Sequence, residues 1–295
     1  MPYPPVPGTP RREAIPSRLS VFRSNHVAGQ WRQGNHGPAM PGLLPEGHGC
    51  GPAAWQHARM ASPSHDHRLP LLDLARGAAV LAMFGYHFAW DLTLFGFTDW
   101  PVQAHPWWLA YRTTVLSSFL AIAGIAAVQA PPLTGRKARF ARRLGRLCAA
   151  GGAVSLLTYL AFPSSYVFFG VLHCLAALSL LGVAARGLPA ALLLAAAGLA
   201  LALPEFARHP ALGQDWLAWL GLAPTPPASV DYVPLLPWAA AYLAGLALGR
   251  RLAGVAWRPG GPLAAGLGWA GRHSLLLYLV HQPVFLAMLA GLAAM

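Results

Sequence analysis

Leu69–Leu92 reads LPLLDLARGAAVLAMFGYHFAWDL, and the fold follows from how this stretch is read. Between Leu69 and Trp90 the only charged residues are Asp73 and Arg76. A run of about 20 apolar residues, wound as a helix, crosses the ~30 Å hydrocarbon core of a bilayer. At about 100° per residue, Asp73, Arg76, His87 and Asp91 fall within an arc of about 60°. The stretch is therefore a membrane helix with one polar stripe.

Runs of the same kind recur downstream. The second covers Trp107–Ala130. Leu147–Ala185 contains no Asp, Glu, Lys or Arg, but Pro163-Ser164-Ser165 divides it into a third and a fourth span. Leu188–Leu203 is the fifth, Val233–Gly249 the sixth and His273–Ala294 the seventh. The expected fold is all-α, a polytopic transmembrane bundle of about seven helices over residues 67–295. Composition agrees. The 295 residues are 56% hydrophobic and only 10% charged, with a mean hydropathy of +0.45, whereas soluble domains average about 25% charged residues. A soluble enzyme and a disordered protein are both excluded.

Residues 1–66 differ in kind. They hold 11 of the 28 prolines and no apolar stretch long enough to span or to build a core, so a disordered tail is expected. Met60 opens a polar lead-in to the first helix and reads as a translation start. Cys50, Cys148 and Cys174 form no CxxC pair and read as small hydrophobes, with no metal site implied.

The net charge of +12 does not point to nucleic acid, because the arginines beyond residue 66 gather at the ends of apolar runs. Arg136, Lys137, Arg139, Arg142, Arg143 and Arg146 crowd the connection between helices two and three, Arg186 lies between four and five, and Arg250, Arg251 and Arg258 lie between six and seven. The alternate connections carry Glu205, Asp215 and Asp231, and most of the tryptophans cluster on that side. Positive charge marks the cytoplasmic face. The expected orientation has the N-terminus cytoplasmic and the C-terminus external.

Ionisable groups inside membrane spans are costly and mark function. His87 and Asp91 stand at i, i+4, a spacing that lets the carboxylate orient the ring, while Asp73 is placed to orient Arg76. Arg112, in the outer turns of helix two, is a candidate partner for Asp91. On helix seven, Ser274, Tyr278 and His281 share an arc of about 60°, and Pro283 frees a backbone carbonyl near Leu279. Counting along each helix puts His87 near the outer face and His281 near mid-membrane. His173, in FGVLH, reads either as a packed histidine or as a functional one.

Four stretches, DLARGAAVLAMFGYHFAWDL, FGVLH, DYVPLLPW and GRHSLLLYLVHQP, resemble in sequence and order the bacterial members of the heparan-alpha-glucosaminide N-acetyltransferase catalytic-domain family. The Arg76-x10-His87 spacing is also similar to the first motif of the acyltransferase family 3 membrane enzymes, where that histidine is the catalytic one. The resemblance implies a membrane acyltransferase that takes an acyl group from coenzyme A on the cytoplasmic side and delivers it to a sugar amine or hydroxyl outside. In the eukaryotic members the catalytic histidine lies slightly later, in the first external loop, where this sequence offers His105. Those enzymes also carry a lumenal domain that this chain lacks, so acceptor identity does not transfer.

Such chemistry suits the polar stripe. A neutral imidazole takes the nucleophile's proton near pH 7, which makes His87, Asp91, His281 and His105 the candidate catalytic residues. Asp73, Arg76, Tyr278 and Ser274 are the candidate donor-binding residues. Arg76 and the arginines after helix two suit phosphates, and Tyr278 or Ser274 suits a thioester oxyanion. No cofactor is expected to be held tightly, with acyl-coenzyme A acting as co-substrate. The expected partners are the bilayer, acyl-coenzyme A and a sugar or glycan acceptor, with a homo-oligomer left open. Two rival readings are a transporter of a small or glycan-linked molecule and a b-type haem protein ligated by His87, His173 or His281.

The charge asymmetry makes a direct prediction about topology. Cysteines introduced within 205–232 should react with an impermeant reagent from the periplasmic side, and those within 132–145 only after permeabilisation. The reverse pattern would overturn the orientation.

Overall fold

The computed structural model describes residues 70–130, 134–252 and 260–295, and the N-terminal tail, Met60 and Arg258 lie outside them. Among the described residues there are eight α-helices and no strand: α1 Pro70–Leu94, α2 Pro106–Gln129, α3 Lys137–Ala161, α4 Val171–Ala185, α5 Ala190–Phe206, α6 Leu235–Arg251, α7 Pro262–Arg272 and α8 Ser274–Ala293. Two short 3₁₀ turns, Pro210–Gly213 and Ala218–Leu220, interrupt the connection from α5 to α6. By length and composition, α2, α3 and α8 can each cross a membrane, and α4 and α5 are shorter apolar helices. α1 has the length, at 25 residues, but its polar stripe dilutes its hydropathy.

Two boundaries differ from the sequence expectation. The arginine-rich connection after α2 is not a loop, because α3 begins at Lys137 and carries Arg139, Arg142, Arg143 and Arg146 in its opening turns. No Pro or Gly interrupts residues 137–144, and arginine is a good helix former. α7 is an additional helix of 11 residues. Gly261, at φ +96°, turns the chain, and Pro262 opens the helix at the first position, where its missing N–H costs nothing.

The main core lies where α2, α4, α5 and α6 meet, around Leu120, Cys174, Leu178, Leu193, Tyr242 and Leu246. α2 and α6 approach backbone to backbone. A Cβ on Gly124 would meet the Tyr242 carbonyl, one on Gly245 the Ala121 carbonyl, and one on Gly249 the Ile125 backbone at 2.9 Å. Gly245-Leu-Ala-Leu-Gly249 is a GxxxG sequence, which permits helices to touch closely where lipid offers no hydrophobic drive. A second close crossing joins α7 to α1, where Gly77 faces Leu267 and Gly271 faces the Asp73 backbone. α3 packs chiefly against α4, and α8 against α1.

At one end, arginines bind the free carbonyls that helix ends leave. Arg186 Nη2 donates to the Ala130 carbonyl that follows α2 (3.0 Å), and Arg250 Nη2 of α6 donates to the Arg186 carbonyl that follows α4 (2.7 Å).

The α2–α6 contact makes a mutational prediction. Gly245→Leu should lower the thermal unfolding midpoint in detergent by the equivalent of about 1–3 kcal/mol, the usual cost of overpacking. Gly198→Leu on α5, where an added Cβ meets nothing within 4 Å, should unfold close to the unmodified chain. Equal behaviour of the two variants would contradict the close crossing.

Candidate active site

The polar stripe of α1 leads to two separate stations. At the N-terminal end, Arg76 Nη1 donates to Asp73 Oδ1 at 2.9 Å, as the i, i+3 spacing anticipates. Both residues line an open cavity of about 650 Å³ formed by α1, α2, α3, α4, α7 and α8. Ser274 and Tyr278 line it too, so the four candidate donor-binding residues share one space. The rest of its wall is strongly basic, with Arg136, Arg139, Arg143, Arg146 and Arg272. Arg139, Arg143 and Arg146 are spaced four and three apart, which places them on one face of α3 within about 60°. Phe119, Leu147, Leu172 and Leu275 supply apolar wall.

The second station is where α1 meets α8. The His87 and His281 rings touch edge to face, with centroids 4.9 Å apart. Phe84 stacks on His281 at 5.3 Å, and Phe88 meets Phe285 at 5.4 Å. The two histidines are thus level with each other, contrary to the depths counted along each helix. Such counting assumes where each helix enters the membrane, whereas these ring contacts set the register between α1 and α8.

His281 Nδ1 lies 2.7 Å from the Tyr278 carbonyl oxygen. A carbonyl can only accept, so Nδ1 carries the proton and Nε2 keeps its lone pair. That Nε2 is buried and has no hydrogen-bond partner among the described residues. The ring is therefore fixed in the tautomer a base requires. His87 and His281 in direct contact also leave no space for a porphyrin between them, and His173 is engaged elsewhere. Its Nδ1 accepts from the Gly170 N–H at 3.3 Å, and Nε2 faces Ser155 Oγ of α3 at 3.5 Å. His173 is a packed histidine closing the start of α4.

Asp91 does not orient His87 and does not pair with Arg112. It is fully buried, and Oδ1 accepts a 2.6 Å hydrogen bond from Gln282 Nε2. In an apolar setting the amide one residue beyond His281 is the partner in reach. Arg112 lies within electrostatic reach of His87 and of Asp231. His105 stands apart on an exposed turn, where Nδ1 accepts from the Trp107 N–H at 3.2 Å and caps α2.

Tyr278 joins the two stations. Its side chain lines the cavity, its carbonyl holds His281, and its phenol lies within electrostatic reach of the Asp231 carboxyl. Asp231 Oδ2 accepts from the Val171 N–H at the start of α4, at 3.3 Å. Asp231 and Gln282 were not singled out from the sequence as site residues, although both sit inside the stretches DYVPLLPW and GRHSLLLYLVHQP. Burial pushes the Asp231 carboxyl above the usual carboxylate range, against the opposing pull of Val171, Arg112, His173 and Tyr278.

The fold thus brings a cavity lined by arginines and a histidine pair together through Tyr278. The model of the heparan-alpha-glucosaminide N-acetyltransferase catalytic domain matches residues 68–283. The chain belongs to that family. Both stations fall inside the matched span. The family is one of acetyltransferases, and together with the apolar helices it marks the chain as a membrane protein. No curated protein and no solved structure matches the chain.

The raised Asp231 carboxyl makes a pH prediction. Below the usual carboxylate range the folded and unfolded states both hold the proton. As pH rises through that range the unfolded state ionises first, so stability falls until the folded carboxyl ionises too. Asp231→Asn removes this loss while retaining an acceptor oxygen. Its unfolding midpoint should match the unmodified chain at acid pH and exceed it at pH 7–8. Asp231→Ala strands the Val171 N–H and should be less stable at both, by about 1–3 kcal/mol. A midpoint for Asp231→Asn below the unmodified chain at pH 7–8 would show that the ionised carboxylate is favoured.

Proposed function

We propose that this chain is an integral acyltransferase of the bacterial inner membrane. In this reading it moves an acetyl or other acyl group from coenzyme A, arriving from the cytoplasm, to an amine or hydroxyl of an external sugar or glycan. All helices but the short α7 cross the bilayer, with the N-terminus cytoplasmic and the C-terminus external. The observation that carries the proposal is the basic cavity whose wall includes Tyr278, the residue whose carbonyl holds His281 beside His87.

Each part has a role. The arginines hold the donor's phosphates, and the apolar wall takes its extended arm, so the thioester lies toward Tyr278. The His87–His281 pair accepts the proton from the acceptor's N–H or O–H as that atom attacks the thioester carbon. The new C–N or C–O bond forms, the C–S bond breaks, and coenzyme A leaves as the thiol after taking up a proton. Asp91 positions Gln282 beside His281 rather than acting on His87. The contact between the rings supports treating the two histidines as one unit.

The test uses purified protein, radiolabelled acetyl-coenzyme A and a glycan fraction from the same membranes. Acetyl label should pass to the glycan. His87→Ala and His281→Ala should each lower turnover by about 10²–10⁴-fold, the scale of a general base. Asp91→Asn, which keeps an acceptor for Gln282, should lose less. Arg76→Ala should chiefly raise the KM for the donor. His105→Ala should remain active. Loss of transfer in His105→Ala, with His87→Ala merely weakened, would move the chemistry to the external turn. Uptake of a solute without any acyl transfer would favour the transporter.

A further inference from the structure

At the far end of α1 from the basic cavity, the connection to α2 carries an assembly of rings. Trp100 stacks on Trp108 with centroids 6.0 Å apart, and Trp107 lies parallel to Tyr111 at 6.4 Å, with 2° between the planes. Trp108 and Tyr111 each meet Tyr86 of α1, at 6.3 and 6.1 Å, and Tyr86 meets the His87 ring at 5.7 Å. Two lines of rings thus run from the connection to the histidine seam. They are fixed from below. The Tyr111 hydroxyl donates to the Ala82 carbonyl of α1 at 2.8 Å, and Gly85 leaves room for it, since a Cβ there would come within 3.1 Å of that oxygen. The connection is pinned as well. Gly96 turns it at φ +74°, Val102 is buried, and the His105 N–H donates to the Pro101 carbonyl at 2.9 Å.

Lipid anchoring alone does not account for this arrangement. Tryptophans of an interfacial belt stand at headgroup level and need neither contact with one another nor a line of rings ending on a histidine. The outermost rings also keep a free face, with Trp107 65% exposed and Trp100 46% exposed. Asp99 and Gln103 are exposed on the same connection. Free aromatic faces beside planar hydrogen-bonding side chains suit a pyranose, whose C–H groups pack on a ring while its hydroxyls reach carboxylate and amide oxygens. A lipid chain has no use for those polar groups. Between His87 and either exposed tryptophan lie Tyr86 and one further ring. A ligand that engages both ends is therefore longer than one sugar.

We propose that Trp100 and Trp107 form a stacking platform for a sugar unit further along the chain from the one that reacts, so that the acceptor is an oligosaccharide or longer glycan and not a monosaccharide. The proposal rests on the acyltransferase reading, which places the reacting unit at the His87–His281 pair, and adds where the rest of the acceptor lies. Rings held in place before binding lose little freedom when a ligand docks, so the platform contributes affinity for the chain.

Binding to the full-length protein in phosphatidylcholine nanodiscs is measured by calorimetry, with glucosamine, N-acetylglucosamine and the β-linked trimer of each as probes. Kd does not depend on the fraction of protein that is folded, so a partly damaged preparation does not mimic loss of selectivity. At least one trimer should bind roughly 5–50-fold more tightly than its own monomer. In the double variant Trp100→Ala, Trp107→Ala that advantage should shrink to about twofold or less, with the monomer bound as before. Trp100→Phe, Trp107→Phe keeps both rings and should restore most of it. Failure of both trimers to bind, or trimers that bind no better than monomers, overturns the platform. So does a full trimer advantage in the alanine variant, and if that variant also unfolds at a lower temperature the rings serve as a lipid anchor. Acetyl label passing to the membrane glycan fraction without any trimer advantage leaves the acyltransferase reading standing and overturns the platform alone. A tryptophan-dependent advantage with no transfer of label to any glycan keeps the platform and overturns the transfer reading.

Discussion

Hydrocarbon supplies no hydrogen bonds, so a carboxylate carried into an apolar helix bundle must find its partner on another helix. Asp91 meets this constraint through Gln282, and much of the structure follows from that bond. It joins α1 to α8 and brings residue 281 of α8 to the level of residue 87 of α1. Phe84, Phe88 and Phe285 then fill the same seam with rings. What looks in isolation like an expensive residue acts as a register pin. A carboxylate–amide bond is directional, whereas the phenylalanine contacts alone tolerate sliding.

The pin divides labour along the α1 stripe. Asp73 and Arg76 belong to the basic cavity, and His87 and Asp91 belong to the ring seam. Tyr278 spans the gap with two parts of one residue, its side chain on the cavity wall and its carbonyl on His281, while its phenol lies within electrostatic reach of Asp231. Asp231 in turn closes the start of α4 through Val171, another residue of the cavity wall. Shifts at the basic end therefore reach the histidines through few covalent steps. For a proposed transfer between two sides of a membrane, this proximity matters, because donor and acceptor must meet at one carbon atom.

The sequence disclosed some of this and hid the rest for physical reasons. The apolar runs were legible because their length is set by the bilayer, and the α1 stripe because helical periodicity is regular. The start of α3 was hidden, since a cluster of arginines reads equally as a charged loop or as a helix projecting beyond the apolar layer. α7 was missed because its 11 residues, rich in Gly and Ala, are too short for a span. The level shared by His87 and His281 depends on how two helices slide past each other, and no single-helix count contains that. Asp91 had two plausible partners within the sequence, His87 and Arg112, and took a third from a residue almost two hundred positions away. Asp231 was counted as a loop charge marking the outer side, although the structure places it half-buried between α4 and α8.

The two arginines that bind carbonyls near Ala130 and Arg186 also bear on how the bundle comes apart. Terminal helical turns ordinarily fray independently, each releasing its last carbonyls to water. Here the carbonyl after α2 is held by the residue after α4, and that residue's own carbonyl is held from α6. The three ends form a chain of dependence, in which loosening α6 releases α4 and the residue that restrains α2. Local opening at this end is thereby coupled across three helices, which ties the rim of the bundle to the cooperativity of its core.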